Sequence, residues 1–379
     1  MVHDLKIHLE IITKKILSTS YINAKNISAL TGCASRLIFL SNLIEYQSKN
    51  KEQYKSIIKN DVITMLDYVK NKKTSQTNID GLAGFGWTLS YLCSRNHLDE
   101  DENKLLFELD EHLFQLARED IENNNFDFFY GAIGYGNYFI NRSEANKDCR
   151  VYLKKIGNSL LTPKTDLTST LKKETSDFSL SHGLSSQITF LSQLISMNIN
   201  VNEFRDRIKI GCEQILSYER SNRLPDAIEE GKSIYSPLRW CHGELGIVSA
   251  LAFAAKILDD NDINKKAFKV ANEIALYRLD TNQKLNSATI CHGTLGIAHI
   301  FQKWHNNYWK SEEIKQASNY WYIKSNEIMN SKTKYNFLNN EGIYREQQGI
   351  LYGIEGIGLA LISALDSNVK EWESSILLY

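Results

Sequence analysis

A glycine followed three positions later by a second small residue, then by an apolar run, recurs seven times along the chain. The copies are Gly32-Cys-Ala-Ser35, Gly81-Leu-Ala-Gly84, Gly131-Ala-Ile-Gly134, Gly183-Leu-Ser-Ser186, Gly243-Glu-Leu-Gly246, Gly293-Thr-Leu-Gly296 and Gly353-Ile-Glu-Gly356. Their first glycines are separated by 49, 50, 52, 60, 50 and 60 residues. A period of that length that persists through the chain marks a stack of one supersecondary unit, and overrides a division into several domains by length alone.

Each unit reads as two helices. The segments after the glycines, such as Ile247–Ala255 and Ile357–Leu365, are apolar nearly all round, as a helix buried on every side must be. Amphipathic stretches lie between them. Leu5, Leu9, Ile12 and Ile16 form one stripe, Ile58, Val62, Met65 and Val69 another, and Leu105, Leu106, Leu109, Leu113 and Leu116 a third. An open stack would need polar end caps, yet the first and last apolar segments match the rest. The pattern predicts an all-α fold, an α/α toroid of seven helical hairpins, with residues 1–379 as one domain and longer loops in the two 60-residue intervals.

Composition removes several function classes. Forty-four Lys and Arg against 45 Asp and Glu leave a net charge of −1, unsuited to a general hold on nucleic acid. No apolar run approaches the length of a membrane span, and no signal peptide is readable, so a cytoplasmic location is expected. Six scattered cysteines are too few for a disulfide scaffold and read as thiols or metal ligands.

The residues just before each first glycine should ring one mouth of the toroid. Immediately before it stand Thr31, Asp80, Tyr130, His182, His242, His292 and Tyr352. One position earlier stand Leu30, Ile79, Phe129, Ser181, Cys241, Cys291 and Leu351. Chemistry is therefore concentrated in copies four to six. Cys241-His242 and Cys291-His292 lie one repeat apart, and thiolate with imidazole is a zinc donor set. His182 has no cysteine beside it and is a candidate general acid or base. Asp127, amid aromatics before Gly131, reads equally as a helix cap or as its partner. The other cysteines, Cys33, Cys93, Cys149 and Cys212, read as small buried hydrophobes.

Trp240-Cys-His-Gly243, Ile290-Cys-His-Gly293, Ser181-His-Gly183 and the seven helix starts resemble the lanthionine synthetase C-like family, over nearly the whole chain. The resemblance implies a lanthipeptide cyclase that adds precursor cysteine thiols to dehydroalanine or dehydrobutyrine. It assigns Zn2+ to Cys241, Cys291 and His292, and the acid/base role to His182 with Asp127. It implies a dehydrated precursor peptide as substrate, with a dehydratase and an export transporter as partners that could bring the protein to a membrane. The chain looks like a standalone cyclase.

Two positions depart from the family pattern. His242 stands where the family has tyrosine, and Arg239, the candidate for the family's arginine, lies only two residues before Cys241. If both histidines bound the ion the site would be closed and structural, so one must be free. Equivalent side chains around a ring point the same rotational way, which turns His242 toward His182 and leaves His292 as ligand. The competing readings are a thiol-binding protein of the same fold, holding a peptide or glutathione without catalysis, and a glycosidase. The latter would need paired carboxylates where this sequence places Cys and His.

Overall fold

The computed structural model describes residues 2–19, 26–47, 49–98, 100–161, 175–277, 285–332, 334–338 and 343–379. Among them the helices alternate between two layers. The outer layer holds α1 (Val2–Ser18), α3 (Lys51–Asn71), α5 (Glu100–Glu122), α7 (Asp148–Ser159), α9 (Val201–Ser217), α11 (Asn261–Leu276) and α13 (Glu312–Met329). The inner layer holds α2 (Ser35–Tyr46), α4 (Leu82–Ser94), α6 (Ala132–Arg142), α8 (Leu184–Ser196), α10 (Glu244–Leu258), α12 (Thr294–Asn307) and α14 (Ile354–Leu365). Every inner helix after the first begins directly after a repeat glycine.

Burial separates the layers as the hydrophobic pattern requires. In α10 every residue from Glu244 to Ala255 is buried, whereas α1 buries only Leu5, His8, Leu9, Ile12 and Ile16. Each such leucine or isoleucine contributes on the order of 2 kcal/mol by leaving water. One assignment within the stripes changes. Leu105 is 45% exposed, and α5 instead buries Leu106, Asp110, Leu113 and Ala117. Those four share a helix face at spacings of four, three and four, which Leu105 misses by one residue.

The ring closes. Each inner helix packs against the next, and α14 packs against both α2 and α1. Beneath the helix starts a belt of hydrogen bonds links the segments before the glycines. Leu180 N donates to Cys241 O (3.1 Å), Trp240 N to Cys291 O (3.3 Å) and Cys291 N to Leu351 O (3.0 Å). Ile350 N and Leu351 N donate to Ala29 O and Leu30 O (both 2.9 Å), joining the seventh copy to the first. Ser28 Oγ and Thr31 Oγ1 reach Asn78 O and Ile79 O (both 2.7 Å), and Asn78 N reaches Phe129 O (3.1 Å). These bonds satisfy main-chain groups that the turn before each helix would otherwise bury unpaired.

The long intervals contribute to small sheets, the first of which is completed by a strand from the 52-residue interval before it. β1 (Thr175–Asp177), β2 (Ala227–Glu229) and β3 (Lys232–Ile234) form an antiparallel sheet in that order, and β4 (Phe337–Leu338) pairs with β5 (Tyr344–Arg345). Strands this short leave little alternation to read. No helix among the described residues is long and apolar enough to cross a membrane.

Candidate metal and proton-transfer site

Two adjoining groups of side chains occupy the mouth between copies three and six. In the first, the ligand atoms of Cys241, Cys291 and His292 all lie within 4.8 Å of one another, and Cys241 Sγ is 3.2 Å from His292 Nε2. Cys241 and Cys291 are buried, while His292 is partly exposed. The Cys291 thiol and the His292 imidazole hold Cys241 as a thiolate, well below the ordinary thiol range, although burial opposes it. Burial and that neighbouring thiolate push Cys291 up. Two buried sulfurs and an imidazole nitrogen suit zinc, and three protein donors leave a fourth position open.

The backbone explains why the sulfurs converge. The Cys241 and Cys291 carbonyls are both acceptors in the belt, so neither main chain is free to turn its side chain away. Gly243 has φ +137, a conformation that side chains rarely adopt, and a Cβ there would lie 2.5 Å from Pro237 O. Gly296 has no such freedom to use, but a Cβ on it would sit 1.8 Å from Ile290 O. The two glycines let the helix starts press against the turns that carry the cysteines.

In the second group, His182 Nδ1 is 2.6 Å from Asp127 Oδ2. Asp127 Oδ1 accepts from Phe129 N (2.6 Å) and Tyr130 N (2.9 Å), which fixes the carboxylate's orientation. Asp127 is therefore both cap and partner, but it caps the turn before α6, whose N-cap is Gly131. Burial disfavours protonated His182, but the hydrogen bond and charge of Asp127 outweigh it and raise the histidine above its ordinary value. At this junction, among the described residues, two ionisable side chains meet, whereas the belt bonds elsewhere each involve at least one main-chain group.

His242 stands between the groups. Its ring centre lies 5.2 Å from that of His182, and its Nδ1 is 4.0 Å from the buried Asp226 carboxylate. Beyond His182 the Tyr130 ring lies nearly parallel, at 6.3 Å and 10°, and is 51% exposed. On the other flank Tyr352 packs 5.4 Å from His292, with Phe337 of β4 4.6 Å from Tyr352. Arg239 is partly buried, its Nε enclosed without a hydrogen-bond partner, and its charge reaches Cys291.

Sequence reasoning gave no role to four residues of this site. Tyr130 and Tyr352 stand in the same column as the histidines, so the repeat register could have marked them. Ser181 stands in the cysteine column, and its buried Oγ has no hydrogen-bond partner. Asp226 has no sequence signal, because the β-turn excursion that delivers it is not part of the repeat. The register also pairs Asp127 with Arg239. Both lie four residues before a first glycine, where the other copies carry Ser28, Thr77, Ser179, Thr289 and Gly349.

Comparison with known proteins follows this geometry. The model of the lanthionine synthetase C-like proteins matches residues 23–377. The chain belongs to the lanthionine synthetase C-like family. Among solved structures, this family member is similar to a nisin cyclase at TM-score 0.74 and 17% identity, over 99% of this chain and 97% of the other. At that identity the likeness shows the toroid fold. A structure titled as UGL with the oligosaccharide dGlcA-Glc-Rha-Glc matches at TM-score 0.46 and 12% identity, over 79% of this chain and 89% of that one, and carries no argument here. No curated protein matches this family member's sequence significantly.

Proposed function

We propose that this protein is a zinc-dependent lanthipeptide cyclase, which closes thioether rings in a dehydrated precursor peptide. The observation that carries the reading is the adjacency of two different machines: a Cys241, Cys291, His292 donor cluster and a hydrogen-bonded His182–Asp127 pair, with His242 between them. A metal site alone would serve thiol binding. The oriented acid/base pair beside it favours catalysis.

In this reading Cys241, Cys291 and His292 hold zinc. A zinc ion held there would supply one piece of chemistry, lowering the pKa of a substrate thiol, about 8.5 when free, so that it ionises near neutral pH. The protein's own residues do the rest. The substrate sulfur forms a bond to the β-carbon of the dehydroamino acid, and the alkene electron pair moves toward the α-carbon and its carbonyl. Arg239 lies on the side of Cys291, where its positive charge favours the developing oxyanion. His182, whose proton affinity Asp127 raises, delivers a proton to the α-carbon and regains one from solvent, which takes up the thiol's proton. The thiol's S–H and the alkene thus become one C–S and one C–H bond. His242, beside His182, orders the peptide at the mouth. We take residues 1–379 as one domain because the ring is continuous, and the partnership with a dehydratase and an exporter as the context of such a peptide.

The direct assay incubates the protein with a dehydrated precursor and counts free thiols over time. Loss of one thiol for each ring is expected. Thiol binding without consumption would leave the protein as a non-catalytic thiolate carrier.

A further inference from the structure

Residues 366–379 run into the end of the bore opposite the mouth. Trp372 is fully buried on His299 (5.2 Å between rings), and its Nε1 donates to Ser363 Oγ on α14 (3.0 Å). Glu373 sits between His299 Nε2 (2.9 Å) and Lys303 Nζ on α12. Tyr379 accepts on its carbonyl from Tyr308 OH (2.5 Å), stacks on Phe253 of α10 (5.2 Å) and donates to Asn137 of α6 (3.3 Å). Helices α6 and α12 belong to copies three and six, far apart around a ring of seven. A segment that touches both must cross the axis.

The segment also reaches the site. Ile376 O accepts from Trp240 Nε1 (3.0 Å), and Trp240 is the residue before Cys241. Trp240 N donates to Cys291 O, and its ring lies 5.9 Å from Phe129. One residue thus joins both cysteine segments through its main chain, and the third copy and the crossing segment through its buried ring. Immediately after Ile376, Leu377 adopts φ 55, a left-handed conformation that leucine tolerates only where surroundings fix it.

We infer that residues 366–379 are the floor of the reaction chamber and that Trp240 is a positioning residue, through which the floor sets Cys241 and Cys291 for the metal. The inference rests on the proposed zinc site. Removing the indole N–H frees the tryptophan ring from the floor and lets the cysteine segments drift.

The experiment measures zinc affinity by competition with a chromogenic chelator, and the absorption of the cobalt-substituted protein, in Trp240→Phe and Glu373→Gln. The second change loosens the segment at His299 and Lys303 and touches no metal ligand. Circular dichroism checks that both variants keep their helix content. Trp240→Phe should bind zinc about tenfold more weakly and shift the cobalt spectrum, the size seen when groups that orient metal ligands are removed. Glu373→Gln should move both readouts in the same direction by less. Affinity within about twofold of wild type with an unchanged cobalt spectrum, in either folded variant, would overturn the inference. A wild-type protein that binds no zinc would instead defeat the zinc reading on which it rests.

Discussion

The junction between copies seven and one and the junction between copies three and four occupy equivalent places in the ring, but are finished with different materials. At the first, Ile350 and Leu351 donate main-chain N–H groups to Ala29 and Leu30. At the second, His182 and Asp127 meet side chain to side chain, and both are partly exposed, at 30% and 20%. A main-chain link gives closure and nothing else, since an amide does not titrate in this range. A side-chain link closes the same gap and adds a proton site whose affinity the partner sets. The fold can give such a junction chemistry of its own because the others already hold the ring.

If that contrast is right, its largest consequence is at the junction between copies five and six. Cys291→Ala should lose most bound zinc, measured by elemental analysis, and thiol consumption should fall to background. Helix content should survive, because apolar helices rather than the ion supply the core. Collapse of the fold on metal loss would mean that the ion is structural.

His182→Asn comes next. It keeps a hydrogen-bonding shape but not the titrating ring, so ring closure should slow by about 10² to 10⁴, with zinc retained. Single-turnover kinetics on a dehydrated peptide check this.

Asp127→Asn should have a smaller effect with a defined sign. Asp127 raises the His182 pKa, so its contribution to stability and to the protonated donor is present at low pH and fades as pH rises through the folded value. Without the carboxylate charge that loss should begin at lower pH, seen by NMR titration of His182 and in the alkaline limb of the rate profile. An unchanged limb would assign the titration to another group.

Much of this comparison was readable in the sequence, for a physical reason. A closed repeat puts equal positions at equal places around the axis, so the columns holding His182, His242 and His292, and Cys241 with Cys291, already described a wall. Apolar runs after each glycine gave the inner layer for the same reason. What escaped is what the repeat does not encode. Asp226 arrives on the β2–β3 excursion, Phe337 on the β4–β5 hairpin and Ile376 on the crossing segment. Leu105 was misplaced because five leucines in α5 span more than one face. The dual hydrogen bonding of Asp127 depends on which oxygen faces which donor, a matter of three-dimensional geometry.

The smallest effect belongs to the scaffold. Thr31→Ala removes the hydroxyl that reaches Ile79 O between copies one and two, and should cost about 1 kcal/mol of stability in chemical denaturation while leaving ring closure unchanged. A change in rate there would show that the plain junctions also tune the chemistry.

The central claim is a division of labour between two junctions on either side of the one joining copies four and five, metal at copies five and six, proton at three and four. Zinc content and thiol consumption, measured together in His182→Asn and His292→Ala, test it most directly. The account predicts full zinc with little ring closure in His182→Asn, and neither zinc nor ring closure in His292→Ala. Loss of zinc from His182→Asn, or full zinc in His292→Ala, would contradict it.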